Sequence, residues 1–221
     1  MPKAIAQSNA GKPDLPSRSG QGAETRARIL AATADLVGER GWDRVTTRSI
    51  AQRAGVNQAL VHYHFGSIEA LVREAALTAV NEELASATAP LLEPVPLEEG
   101  IRGSGRAVDA LDPTSPRMSL FIELLLRSAR DPILYEALVE ELRAFRTLLA
   151  GRIAAEAAAG TVRADVDPMG MAVLITAALD GLLLHRLSDR ETDVTGAVEA
   201  IIATLRPAPP PGEPNRIEVP S

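Results

Sequence analysis

Thr46-Thr47-Arg48-Ser49-Ile50-Ala51-Gln52-Arg53-Ala54-Gly55-Val56 predicts a short helix, a sharp turn and the start of a second helix. Thr46 is a good N-cap, because its hydroxyl can accept a bond from a free amide of the first turn. From Thr47 to Ala54, the residues Ile50, Ala51 and Ala54 fall on one face. Gly55 suits a turn that needs positive φ, Ala51 is small enough for two helices to cross, and Val56 supplies a buried aliphatic just after the turn. A third helix follows from about Asn57 to His64, and Ser67 caps a fourth with Glu69 in its first turn. Upstream, a helix from about Glu24 to Arg40 presents Ile29, Leu30, Thr33, Ala34 and Val37 on one face and stops at Gly41. Trp42 is expected in the core beneath it. Three helices with this turn fit a helix-turn-helix, although helical hairpins with glycine turns also occur in proteins of many other kinds.

Composition agrees with an all-α chain. Of 221 residues 46% are apolar, yet aromatics reach only 3% and there is no cysteine. A chain dominated by Ala and Leu favours helix over strand. Without cysteine there are no disulfides, thiol nucleophiles or Cys-based zinc sites. No uninterrupted apolar run reaches about 18 residues, and the N-terminus lacks the apolar core of a secretory signal. A cytoplasmic protein without a membrane partner is the expectation. The net charge of −6 is unevenly spread. Residues 1–75 carry ten Lys or Arg against seven Asp or Glu, and the remainder 13 against 22. A basic N-terminal part on an acidic body suggests a polyanion-facing head.

Residues 1–22, rich in Pro, Gly, Ser and Gln, are expected to form a disordered arm, and the six prolines between Pro207 and Ser221 a disordered tail. Between them the pattern is helical throughout. Pro90, Pro94 and Pro96 mark a connection, and a helix from about Leu97 to Ala110 follows. Ser115-Pro116, Asp131-Pro132 and Asp167-Pro168 each pair a cap with proline at the first helical position. They open helices to about Ala129, Ala159 and Leu187. A last helix covers about Val194 to Leu205. In the helix from Pro132, Leu134, Leu138, Leu142, Phe145, Leu149 and Ile153 repeat at three- and four-residue spacing. The helix from Pro168 is apolar nearly all round and must be covered on several sides.

The stretch quoted above, with Leu60-Val61-His62-Tyr63-His64-Phe65 and Ser67-Ile68-Glu69-Ala70-Leu71, resembles the DNA-binding domain of TetR-family transcriptional regulators. Asp131-Pro132, Asp165 to Pro168 and Asp180-Gly181-Leu182 resemble the subclass that includes the choline-responsive betaine regulators. The resemblance implies about nine helices: a three-helix DNA-binding domain over residues 23–71 and a helical ligand-binding and dimerisation domain over 72–206. It implies a ligand-responsive regulator, a repressor working as a homodimer on a palindromic double-stranded operator and released by a small effector, which the candidate lining residues given below make mainly apolar. Neither cofactor nor metal is implied.

Residue by residue, the resemblance places Thr47 and Arg48 at positions that touch phosphate and sometimes a base. Gln58, Ala59 and Leu60 match positions facing the major groove, where Gln can read adenine and Ala or Leu a thymine methyl. His62, Tyr63 and His64 match positions that bond the backbone, and Asn57 either caps helix 3 or bonds a phosphate. Two residues depart from the pattern. Ile68 stands where many relatives carry a phosphate-holding Lys, and His62 where many carry Tyr. The last long helices of such proteins pair with their mates across a twofold axis, with Val173, Ala177, Leu184, Val198, Ile201 and Ile202 as candidates for that seam.

Candidate effector-site residues, chosen by helical spacing, are Phe121, Leu125, Tyr135, Leu138, Met171, Ile175, Asp180 and His185, with Phe145 assigned to a helix seam. An interhelical bond is an equal alternative role for Asp180, and His185 reads more simply as a core histidine. Glu136, Glu140 and Glu141 read as a solvated face. His62 and His64 point about 200° apart on a helix, which argues against one shared metal ion. No nucleophile elbow or phosphate loop appears, so an enzyme has no sequence support. Three aromatics in the body are too few to cage a quaternary ammonium, so choline is not the expected effector.

Overall fold

A computed structural model describes residues 18–207 apart from Pro113. Among these, nine α-helices and two short 3₁₀ segments occur, with no strand. The helices are α1 (Arg18–Arg40), α2 (Thr47–Ala54), α3 (Gln58–Phe65), α4 (Ile68–Thr88) and α5 (Leu97–Ala110). They continue as α6 (Pro116–Ser128), α7 (Pro132–Ala158), α8 (Pro168–Ser188) and α9 (Val194–Leu205). The 3₁₀ segments Trp42–Arg44 and Ala89–Leu92 follow α1 and α4. Most of the expected arm, residues 1–17, and the tail beyond Pro207 lie outside the described residues. Arg18 to Gly22 belong to α1, so that helix starts six residues before the expected Glu24; Ala23, Glu24 and Thr25 continue it without a break.

Caps set the boundaries. Ser67, Ser115, Asp131, Asp167 and Asp193 each accept a bond from a first-turn amide of the helix that follows. Such a cap contributes about 0.5–2 kcal/mol. Proline at the first position of α6, α7 and α8 gives up an amide that had no helical partner there.

One apolar core runs through the molecule, from Ile29, Ile50 and Leu71 in the head to Leu149, Ile153, Ile175 and Ile202 in the body. The long helix α4 joins the two, packing on α1 at one end and on α5 and α6 further along. Helix α1 also lies on α6, so the head rests on the body at two places. The approach to α6 is close: a β-carbon on Gly38 would collide with the backbone carbonyl of Pro116. In the same corner the backbone N–H of Trp42 donates to the Glu123 carboxylate at 3.1 Å. Trp42 is half-buried against the edge of the core rather than within it.

The body stacks α7 on α8 and α5 on α9. Helix α8 is long and apolar enough to cross a membrane by length and composition, although Asp180 interrupts its apolar run. Its Ala172, Ile175, Leu179 and Leu183 are buried against neighbouring helices, whereas Met169, Val173, Leu174 and Leu184 stay exposed, so the protomer covers this helix on one side and not all round. Val198 and Ile202, expected at a subunit seam, are 3% and 0% exposed. They point into the protomer, where Val198 fills the space beside Gly105 of α5. Helix α9 is only 12 residues long and packs its apolar side on α5, which leaves these two side chains unavailable to a partner. Ile201 is half-buried beside them.

Candidate nucleic-acid interface and cavity

The turn between α2 and α3 is fixed from three sides. Thr46 and Ser49 form a reciprocal capping box at the start of α2, with the Ser49 N–H donating to Thr46 Oγ1 at 3.2 Å and the Thr46 N–H to Ser49 Oγ at 3.1 Å. Gly55 ends α2 at φ 65°, ψ 38°, a conformation costly for a residue with a β-carbon. From α1, Arg28 Nη2 donates to the carbonyls of Ala54 and Gly55 at 2.7 and 3.2 Å, satisfying oxygens that the helix end leaves free. Arg53 grips Glu39 through both guanidinium nitrogens at 3.0 and 2.7 Å.

Helix α3 is thereby presented with one side inward. Val61 is its buried residue, while Gln58, Ala59, Leu60, His62 and Tyr63 face solvent. Tyr63 is 82% exposed, with its ring and hydroxyl open to solvent. His64 is half-buried, edge-on to Tyr63 with ring centroids 5.2 Å apart. Phe65 lies under the Arg26 guanidinium at 4.9 Å. Asn57 is the N-cap: its Oδ1 accepts from the Leu60 N–H at 2.8 Å. Its amide NH2 stays available to donate. Thr47 and Arg48 stand at the first turn of α2, with Arg48 exposed. Ile68 is half-buried against the core. Arg44, on the 3₁₀ turn before Thr46, is also exposed, a cation that the resemblance did not single out. Among the described residues, no three His, Asp or Glu side chains gather as metal ligands.

The body holds a cavity of about 440 Å³, within the range of small-molecule sites. Its walls come from the second half of α4, from α5 and from facing sides of α6, α7 and α8. Phe121, Leu125, Leu138 and Asp180 line it, as do Val80, Leu84, Leu91, Phe145, Leu179, Leu183 and Leu184. Four expected lining residues lie elsewhere. Tyr135 is 55% exposed at the start of α7, and Ile175 is fully buried in the core. Met171 packs against that core, and His185 is exposed on α8 rather than buried or in the wall. Helical register separates them: 100° per residue puts Thr176, Leu179, Asp180 and Leu183 on one side of α8 and turns Ile175 and His185 away. Phe145, expected in a helix seam, belongs to the wall.

Polar groups in the wall are few. Asn81 Nδ2 donates to Glu141 Oε1 at 2.7 Å, so Glu141 reaches the cavity, whereas Glu136 and Glu140 stay on the exposed face. Thr176 Oγ1 donates to the Ala172 carbonyl at 2.9 Å and accepts from Arg146 Nε at 3.2 Å. The Asp180 carboxylate, reached by solvent but set among apolar walls, is held above the usual carboxylate range by loss of water around it, and Arg146 partly opposes this. Four of the twenty wall residues, Phe121, Leu125, Leu138 and Asp180, are among those expected there; the other sixteen were chosen for other reasons or not at all. Periodicity marks the apolar side of a helix, but a wall and a core have the same periodicity.

An exposed apolar strip borders the cavity. It comprises Val173, Leu174, Ala177 and Leu184 on α8, with Leu148 on α7. Leu184 belongs to both strip and wall.

Comparison with known families matches residues 29–75 to bacterial regulatory proteins of the tetR family, and 98–206 to the C-terminal domain of BetI-type transcriptional repressors. No curated protein matches the chain. Among solved structures, the transcriptional regulator SCO7518 from Streptomyces coelicolor A3(2) is 34% identical, with a TM-score of 0.65 over 82% of this chain and 98% of that one. Salmonella enterica GusR is 26% identical, with a TM-score of 0.67 over 82% and 95%. A transcriptional regulator from Saccharomonospora viridis, solved in complex with choline, shares the fold at 22% identity and a TM-score of 0.65 over 82% and 95%.

Proposed function

Because the chain belongs to the TetR family of bacterial transcription regulators, we propose that it is an effector-released repressor acting as a homodimer on a palindromic operator in the cytoplasm. The observation that carries this reading is the joint placement of two features on α4. Its N-terminus abuts an exposed recognition helix, and its C-terminal half walls an apolar cavity.

Thr47 and Arg48, together with Asn57 to Leu60 and His62 to His64, are the proposed DNA contacts. Arg48 and the Asn57 amide position the head on phosphates, whereas Gln58 and Leu60 meet base edges. Arg44 adds a further phosphate contact, which offsets the absence of a Lys at Ile68. The strip of Val173, Ala177 and Leu184 is the proposed twofold seam, extended by Leu174 and Leu148. Two heads then reach successive major grooves about 34–36 Å apart. A ligand filling the cavity favours one arrangement of α4 over another and so alters head separation, provided it binds the two shapes with different affinity.

Two measurements test the reading. Light scattering at micromolar concentration should give twice the 23.4 kDa protomer mass. Fluorescence anisotropy on fragments selected from the chromosome should give sequence-specific binding whose affinity falls steeply with salt. A monomer, or binding indifferent to sequence, defeats it.

A further inference from the structure

The cavity wall carries a charge pattern. It contains two carboxylates, Glu141 and Asp180, and no Lys, Arg or His. Glu141 already accepts from Asn81. Asp180 has no hydrogen-bond or ion-pair partner among the described residues; the charge acting on it comes from Arg146, which is not part of the wall and whose Nε is committed to Thr176. Two aromatic residues, Phe121 and Phe145, line the same space.

We infer that the effector is a protonated amine on an apolar body, its ammonium N–H donating to Asp180 and its body lying against Phe121 and Phe145. The inference rests on the cavity being the effector site. Charge decides between ligand classes. An anion meets two carboxylates and no wall cation. A neutral apolar ligand strips water from Asp180 and returns no hydrogen bond, and an unpaired buried charge is costly. An ammonium supplies both the donor and the compensating charge, and such a charge-assisted bond is roughly twice as strong as a neutral one. The aromatic faces add attraction for the cation. Choline fits less well: it has no N–H to donate, finds two rings rather than a cage, and leaves much of the 440 Å³ unfilled.

The experiment titrates the full chain calorimetrically with three probes sharing one body: 4-phenylbutylamine, 4-phenylbutan-1-ol and 4-phenylbutyrate. The amine should bind about tenfold or more tightly than the alcohol, and the butyrate most weakly. Asp180→Asn should bring the amine down to the alcohol's affinity and leave the alcohol unchanged, with thermal melts confirming that the variant folds. Equal binding of amine and alcohol by the wild-type protein overturns the proposal and leaves the cavity reading standing. An amine preference that survives Asp180→Asn but disappears in Glu141→Gln overturns the role given to Asp180. If none of the three binds, the cavity reading falls together with the proposal.

Discussion

The Arg127 guanidinium lies 4.9 Å from the centroid of the Trp42 indole, while its Nη2 donates to the Asp43 carboxylate at 2.6 Å. Arg127 sits at the end of α6, whose Phe121 and Leu125 wall the cavity, and Trp42 opens the loop into α2. With the bond from the Trp42 N–H to Glu123, this makes a second connection between body and head that bypasses α4.

Arg127→Ala should therefore loosen the head selectively. Asp43 is largely exposed, so the ion pair itself contributes little; the stacking and lost packing bring the expected cost to about 0.5–1.5 kcal/mol. Hydrogen exchange should rise across residues 41–54 and stay unchanged in α8 and α9. Unaltered exchange in the head would show that the contact carries no coupling.

On DNA, Arg48→Ala and Gln58→Ala should each lose about 1–3 kcal/mol of specific binding where a base is read. Tyr63→Phe should weaken all sequences alike, because its hydroxyl is the proposed donor to phosphate. Arg44→Ala should reduce the salt slope without altering sequence preference. Anisotropy titrations at two salt concentrations separate these effects; wild-type binding by all four variants would mean that α3 meets DNA in another orientation.

Gly38 and Gly181 give a matched pair. Gly38→Ala forces α1 away from Pro116 and should destabilise the fold by about 1–3 kcal/mol, since neither backbone can yield easily. At Gly181 an added β-carbon meets nothing within the protomer. Helix propensity alone then stabilises it by about 0.5–1 kcal/mol. Gly181 is adjacent in register to Ala177 and Leu184, so the same substitution should weaken a dimer that closes over this face. Denaturant midpoints measured across a range of protein concentrations distinguish the two effects.

Two aspartates should respond to pH in opposite senses. The hydrogen bond from Arg73 holds the Asp131 carboxyl below its ordinary range, helped by the amides of Leu134 and Ile133. Its contribution is present above the unfolded value of about 3.9 and lost as pH falls through the lower folded value. Asp180 is shifted upward by desolvation, so its ionisation opposes folding as pH rises from about 4. Asp131→Asn should flatten the acid limb of a stability profile. Asp180→Asn should raise the urea midpoint at neutral pH, with the gain vanishing toward pH 4. Parallel profiles for both variants and wild type would contradict these assignments.

The helices were legible because their punctuation is local. Thr46, Ser67, Ser115, Asp131 and Asp167 act within one turn of their own position, and a cap followed by proline has few other uses. The cavity was legible only in part. Leu138, Leu142 and Phe145 continue the same stripe as Leu134, Leu149 and Ile153, yet the first three face an opening and the last three a filled core. Which of these a stripe meets depends on what the opposing helices leave empty, and that is a property of their relative placement. Val198 and Ile202 failed as seam residues for a related reason: α9 is amphipathic, but its sequence does not say whether its own protomer or a second copy covers the apolar side.

Leu184 is shared between the cavity wall and the exposed strip, and that sharing has a consequence at the level of the cell. If the strip is where two copies meet, occupancy of the cavity and self-association are thermodynamically linked, each altering the other by the same factor. The effector dose at which the genes respond would then shift with the number of regulator molecules per cell. Promoter strength at the regulator's own gene would set its sensitivity as well as its abundance.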